Sequence, residues 1–296
     1  MTAFFDSLRH TTVLVLGMGD SGLAMARWCA RCGADVRVWD SRWGTAAGPP
    51  QAAALAEHVP GAQRLEGPLA PSALDGVHRV LKSPGLAPHD PRIAALLKQA
   101  REAGVGVQGE LDLFIQALRD LRAEQGYAPR VVAITGTNGK TTTTAMAAQL
   151  IARTGKRVAI AGNIGPTLLQ TLSDLLADVP AADVAATLPE VWVLELSSFQ
   201  LDGVTGFEPD AAAVLNLTED HLDWHGDMAR YTAAKARIFG PRTARVLNRD
   251  DEAVARLAPE PAPPAAPRRG AGKARGTVPP RVLWFGLEAP RHAGDF

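Results

Sequence analysis

Apolar positions fall in short runs separated by helical stretches along the N-terminal third of the chain. Residues 11–17 (TTVLVLG) predict a buried strand, 21–33 (SGLAMARWCARCG) a helix, and 34–40 (ADVRVWD) a second strand. A later strand is expected over 78–85 (HRVLKSPG), ending in a turn. A helix follows over 91–104, with Pro91 at its start and Gly104 at its stop, and then one short strand at 105–108 (VGVQ). After a helical stretch over 110–126 the pattern restarts, with a strand, Gly-rich loop and helix across 130–155. Runs at 156–162, 191–196, 210–217, 243–248 and 281–286 predict further buried strands. Such βαβ alternation implies parallel sheets with helices on both faces, in two α/β units divided near Gly109.

The stretch 259–280 breaks the pattern. It holds 7 Pro, 5 Ala and 3 Gly together with Arg268, Arg269, Lys273 and Arg275, so it cannot bury a core and reads as a mobile loop or insertion.

Composition narrows the classes. The chain has 296 residues, 46% apolar, with 31 basic and 31 acidic side chains and a formal net charge of zero. That excludes a disordered chain and argues against one built to coat nucleic acid. No run approaches the roughly 18 uninterrupted apolar residues of a membrane span. Asp6 and Arg9 stand where a signal peptide would need its apolar core. The expectation is a soluble, cytoplasmic protein, a monomer, with neither nucleic acid nor membrane as partner. Cys29 and Cys32 are the two cysteines; their CxxC lies near the end of a helical pattern, not at a helix start, and lacks a second ligand pair for zinc. They read as reduced, structural helix residues.

Two loops carry chemistry. Gly17-Met18-Gly19-Asp20-Ser21-Gly22 is a GxGxxG set directly between a strand and a helix, and Asp40 closes the next strand where a ribose-binding acid would lie. Any diphosphate nucleotide could use that helix N-terminus. The second loop, Thr135-Gly136-Thr137-Asn138-Gly139-Lys140-Thr141-Thr142, ends in the GKT of a phosphate loop. Backbone amides and Lys140 would surround phosphate oxygens, and the Thr141 hydroxyl would face Mg²⁺. The general GxxxxGK[ST] pattern requires glycine where Ile134 stands, so the loop belongs to a narrower class.

Three further segments lie beside predicted sheet edges. Glu195 and Ser197-Ser198-Phe199-Gln200 follow one strand; NLTEDHLDWHG, with Glu219, Asp220, His221, Asp223 and His225, follows another; a helix over DMARYTAAKARIF holds Lys235 among small residues. Taken singly, each could be a surface acid, a capping Asp or a solvated Lys. An NAD-dependent oxidoreductase would use GMGDSG and Asp40 but leave the other motifs idle. A nucleotide-binding module without catalysis is the third reading.

In this order and spacing, TGTNGKTTT, ELSSFQL, NLTEDHLDWHG and YTAAKARIF resemble the Mur ligases of peptidoglycan synthesis, from the first strand to about Asn248. The resemblance implies a Rossmann-like, UDP-sugar-binding parallel-sheet domain over 1–109. A P-loop-type mononucleotide-binding α/β domain that binds ATP would follow over 110–296. GMGDSG and ELSSFQ point to the branch that joins D-glutamate to UDP-N-acetylmuramoyl-L-alanine through an acyl phosphate. The branch adding diaminopimelate or lysine to the dipeptide is the alternative. Substrate contacts are implied for Asp20, Ser21, Asp40, Ser41, Ser83, Gly85, Asn163 and Gln200. ATP would be held by Gly136, Thr137, Asn138, Gly139, Lys140, Thr141 and Thr142. Lys140, Glu195, His221 and Lys235 would be catalytic. Two Mg²⁺ ions would be held by Thr141, Glu195, His221 and Lys235, the last as a carbamate. Family members continue into a C-terminal amino-acid-binding domain that this sequence does not reach. UDP-substrate binding is therefore expected to survive and ligation to be severely impaired.

Overall fold

The computed structural model describes residues 7–259, 280–290 and 295–296. Most of the Pro/Ala-rich stretch expected to be a mobile insertion lies outside the described residues.

The first sheet contains β1 (Thr12–Leu16), β2 (Asp35–Trp39), β3 (Gln63–Leu65), β4 (Arg79–Lys82) and β5 (Gly106–Gln108), in the spatial order β3-β2-β1-β4-β5. Every pairing is parallel. Helices α1 (Asp20–Arg31), α2 (Ala52–His58) and α3 (Ala94–Glu102) make three of the crossovers, and a short 3₁₀ turn over Pro71–Leu74 lies between β3 and β4. Because β2 lies on one side of β1 and β4 on the other, the chain reverses direction at β1. A crevice opens there at the carboxyl ends of the strands.

Helix α4 (Glu110–Gln125) leads into the second sheet. Its strands are β6 (Arg130–Thr135), β7 (Val158–Gly162), β8 (Val191–Glu195), β9 (Ala211–Val214), β10 (Ala244–Asn248) and β11 (Val282–Phe285), ordered β11-β10-β9-β6-β8-β7 and again all parallel. Helices α5 (Lys140–Ala152), α6 (Leu168–Leu175), α7 (Val184–Thr187), α8 (Ser198–Leu201), α9 (Leu222–His225), α10 (Met228–Ala236) and α11 (Glu252–Ala255) complete the unit. The fold is thus two parallel-sheet α/β units in tandem, as the apolar pattern implies. Among the described residues, no helix is long and apolar enough to cross a membrane.

Helix packing fixes the two sheets against each other. One continuous buried cluster includes Met25 and Trp28 of α1, Phe114 and Leu121 of α4, Leu168 and Leu172 of α6, and Trp192 of β8. Phe114 meets Trp192 edge-to-face at 5.0 Å, and the Trp192 indole N–H donates to the Tyr127 hydroxyl at 2.8 Å. Truncating Trp192 to alanine would cost roughly 3–5 kcal/mol. At the far end of α1, the Arg31 guanidinium donates to the carbonyls of Ser173 and Leu176, capping the last turn of α6. Cys29 and Cys32 are buried and unpaired in this packing, and burial pushes the Cys29 thiol up to about 12. They are structural residues of α1 and its C-cap.

Candidate functional site

Parallel strands deliver their carboxyl ends to one edge, so the loops after β6, β7, β8 and β9 gather together. The loop after β6 is the phosphate-loop candidate. Ile134, where the general pattern wants glycine, is a buried position of β6 in register with Glu195 of β8. The tight turn therefore begins only at Gly136, where a Cβ would lie 3.0 Å from the Leu215 Cβ. Gly139 has φ +78° and opens α5. Asn216 clamps the loop from the β9 side. Its backbone carbonyl accepts from the Thr137 N–H at 3.0 Å. Its side chain accepts from the Asn138 N–H at 2.8 Å.

Two of the predicted metal ligands, Thr141 and Glu195, meet at the end of β8. Glu195, 1% exposed, accepts from the Thr141 hydroxyl at 2.9 Å. Its other oxygen accepts from the Asn163 amide at 2.9 Å. Asn163 is brought there by Gly162, whose φ of +126° lets β7 run against β8. A Cβ on Gly162 would lie 2.1 Å from the Glu195 carbonyl oxygen. Lys140 turns back onto its own loop and donates to the Thr137 carbonyl at 2.8 Å.

Lys235, expected among small residues of a helix, is fully enclosed under the loop, with 2% exposure. Its ammonium donates to the Gly136 carbonyl at 2.8 Å and sits 4.8 Å from the Tyr231 ring centroid. Burial, reinforced by the Lys140 charge and opposed by Asp220, lowers its pKa to about 7. His221 stands half-exposed in the left-handed region, φ 52°, beside Asp220 at 3.3 Å and the Phe199 ring at 4.6 Å. Thr141 and Glu195 are thus in contact, whereas Lys235 and His221 reach the same edge from α10 and the turn before α9. Among the described residues, no three His, Cys, Asp or Glu side chains converge as a ready-made metal cage.

All eight residues expected to touch substrate line one cleft of about 540 Å³ between the carboxyl edges of the two sheets. Asp20, Ser21, Asp40, Ser41, Ser83 and Gly85 come from the first unit, Asn163 and Gln200 from the second. Several are already engaged. The Asp40 carboxylate accepts from the Met18 N–H at 2.7 Å and from the Arg42 guanidinium at 2.7 and 2.8 Å. Those hydrogen bonds outweigh its desolvation and hold its pKa at about 2. Ser21 donates to Glu110 at 2.7 Å. A larger open hollow, about 670 Å³, lies between α4 and the starts of β6 and β9, and no predicted site residue lines it.

The sequence reading missed three features of this region, and it named His225 without foreseeing its burial. Arg42 and Arg92, each clasping an Asp two residues earlier, stand together at the cleft mouth, and Arg92 donates to Ser41 at 2.8 Å. The repeated Asp-x-Arg was a usable signal. Glu110 is 2% exposed, and burial raises its pKa. It joins α1 to α6 by accepting from Ser21 and from the Leu169 N–H. His225 is buried, donating to or accepting from Ser198 at 2.9 Å, within an aromatic group of Phe199, Trp224 and Tyr231. Lys82 is buried against that group.

Residues 11–109 match the family described as Mur ligase MurD-like, N-terminal domain, and residues 134–267 the Mur ligase middle domain. A UDP-N-acetylmuramoylalanine–D-glutamate ligase of Albidiferax ferrireducens is 53% identical over 98% of this chain and 54% of its own length. The protein of that name from Ralstonia nicotianae is 57% identical over 84% of this chain and 48% of its own. The chain spans about half the length of these curated relatives. Among solved structures, the MurF ligase of Thermotoga maritima in complex with ADP aligns over 96% of this chain and 49% of its own. Its TM-score is 0.44 at 18% identity.

Proposed function

The chain belongs to the Mur ligase family, and from that premise we propose that it supplies two of the sites for ATP-dependent joining of D-glutamate to UDP-N-acetylmuramoyl-L-alanine. Its first unit would bind the UDP-sugar and its second the ATP. The observation that carries this reading is the double role of Asn163. It lines the cleft and donates to Glu195, whose other oxygen accepts from the Thr141 hydroxyl at the end of the phosphate loop. A carboxylate at the inner end of the cleft would therefore lie next to a phosphoryl group held on that loop, as acyl-phosphate formation requires.

The residues present fit the groups this chemistry needs. Gly136 and Gly139 let the loop pack closely against Leu215 and turn into α5, whose N-terminal amides suit phosphate oxygens, and Lys140 needs only to exchange the Thr137 carbonyl for them. Thr141 and Glu195 offer adjacent hard oxygen donors suited to Mg²⁺. Lys235 has neutral partners and an amine shifted toward the uncharged form, the form that takes up CO₂ as a carbamate. As a carbamate it would offer oxygens, with His221, to a second ion. Bound Mg²⁺ would supply charge stabilisation on the transferring phosphoryl group. The chain's own residues orient the two anions, and the half-buried Lys140 cation reduces the repulsion between them.

The first unit's fit to a muramoyl-alanine substrate, not a dipeptide, is tested by calorimetry. Titrations with UDP-N-acetylmuramoyl-L-alanine and with its L-alanyl-D-glutamyl counterpart should favour the first at least tenfold. The reverse preference would transfer the assignment to the diaminopimelate- or lysine-adding branch.

A further inference from the structure

Lys82 ends β4, directly before the Ser83-Pro84-Gly85-Leu86 turn that lines the cleft. It is 9% exposed, and among the described residues it forms no salt bridge, an arrangement that is costly unless another interaction offsets it. Its ammonium donates to the carbonyls of Leu86 at 2.7 Å and Ser83 at 3.4 Å, tying the two ends of the turn. Ser83 in turn donates its hydroxyl to the Gly17 carbonyl at 3.0 Å, locking the turn onto the glycine loop. The remaining face of the ammonium is covered from the other unit by the Trp224 ring, centroid 5.4 Å away. Trp224 packs on Phe199 at 4.9 Å, and Phe199 both lines the cleft and touches His221.

We infer that Lys82 is a positioning residue through which Trp224 of the second unit holds the Ser83–Leu86 turn in its binding-ready shape. This rests on the cleft being the UDP-sugar site. The groups in direct contact with the ammonium are the Ser83 and Leu86 carbonyls and the Trp224 face, and a buried ammonium satisfies both kinds of partner. Burial lowers the Lys82 pKa to about 8, with Asp202 opposing the shift, so the cationic form predominates at pH 7.

The test is calorimetric binding of UDP-N-acetylmuramoyl-L-alanine at pH 7 to the wild-type chain and to Lys82→Met, Lys82→Arg, Trp224→Leu and the Lys82→Met/Trp224→Leu pair. Melting temperatures are recorded alongside. Lys82→Met should weaken binding about tenfold, while its melting temperature holds or rises, because a buried charge has been replaced by an apolar chain of similar length. Lys82→Arg should stay within about threefold of wild type, since it keeps the cation and the donors. Trp224→Leu should match Lys82→Met, and the double variant should be no weaker than either single one. Wild-type affinity in Lys82→Met would overturn the inference. So would additive losses in the double variant, or a loss of affinity that simply tracks a fall in melting temperature. A wild-type chain that does not bind the UDP-sugar would overturn the reading of the cleft itself, and this inference with it.

Discussion

Replacing Lys235 with methionine should make the chain more stable at neutral pH and less stable in alkali. In the folded state burial holds the Lys235 pKa near 7 against an ordinary 10.5. Between those values the unfolded chain binds more protons, so wild-type stability rises with pH. The penalty for charging the buried amine is in full force below about pH 7 and fades as pH climbs to 10.5. At pH 7 it comes to about 4 kcal/mol. Methionine keeps the apolar stem but removes the donor to the Gly136 carbonyl, and an unsatisfied buried carbonyl costs about 2 kcal/mol. The variant should then be more stable than wild type by about 2 kcal/mol at pH 7 and less stable by a similar amount at pH 10.5. The curves would cross near pH 9. Urea unfolding followed by tryptophan fluorescence, in CO₂-free buffer without Mg²⁺ or nucleotide, measures the difference. Other titrating groups cancel between the two proteins. Parallel stability curves would refute the reasoning, because they would mean that Lys235 is not desolvated in the folded chain.

Three further outcomes are expected. Gly162→Ala puts a Cβ 2.1 Å from the Glu195 carbonyl at a positive φ, so it should destabilise the second unit by more than about 3 kcal/mol; a melting temperature unchanged from wild type would count against the β7–β8 geometry. Thr141→Ala should abolish detectable binding of a non-hydrolysable MgATP analogue while leaving UDP-sugar affinity within about twofold of wild type; equal losses of both ligands would mean the two sites are not separate. Cys29 and Cys32, buried with raised pKa values, should react with a thiol reagent at pH 8 only after unfolding; rapid native-state labelling would show that α1 is not packed as described.

Much of the site could be read from the chain because its chemistry sits at strand ends, where an apolar run, a glycine turn and a polar residue follow in order. Glu195 after VWVL and Thr141 after the GK pair are of this kind, and their contact follows once β6 and β8 are neighbours. The cleft residues from Asp20 to Gln200 were found through family resemblance, and the parallel topology explains why residues so distant in sequence share one edge. Burial by a second unit was not legible. HRVLKSPG gives no hint that Lys82 is covered by Trp224, and ELDLF gives none that Glu110 is enclosed by α1 and α6. Pro91 was expected to start a helix, yet α3 begins at Ala94, because Asp90 first closes a turn onto Arg92 and Ile93. The short strands β3 and β5, three residues each, are edge pieces whose pairing depends on neighbours, not on their own apolar content.

The central claim, that the glycine loop of the first unit serves a UDP-sugar and not a dinucleotide, is tested most directly by calorimetric titration of this chain with UDP-N-acetylmuramoyl-L-alanine and, in parallel, with NADH. Saturable one-to-one binding of the UDP-sugar with no heat from NADH is the expected result. Binding of NADH alone would contradict it, leaving the cleft an ordinary dinucleotide site.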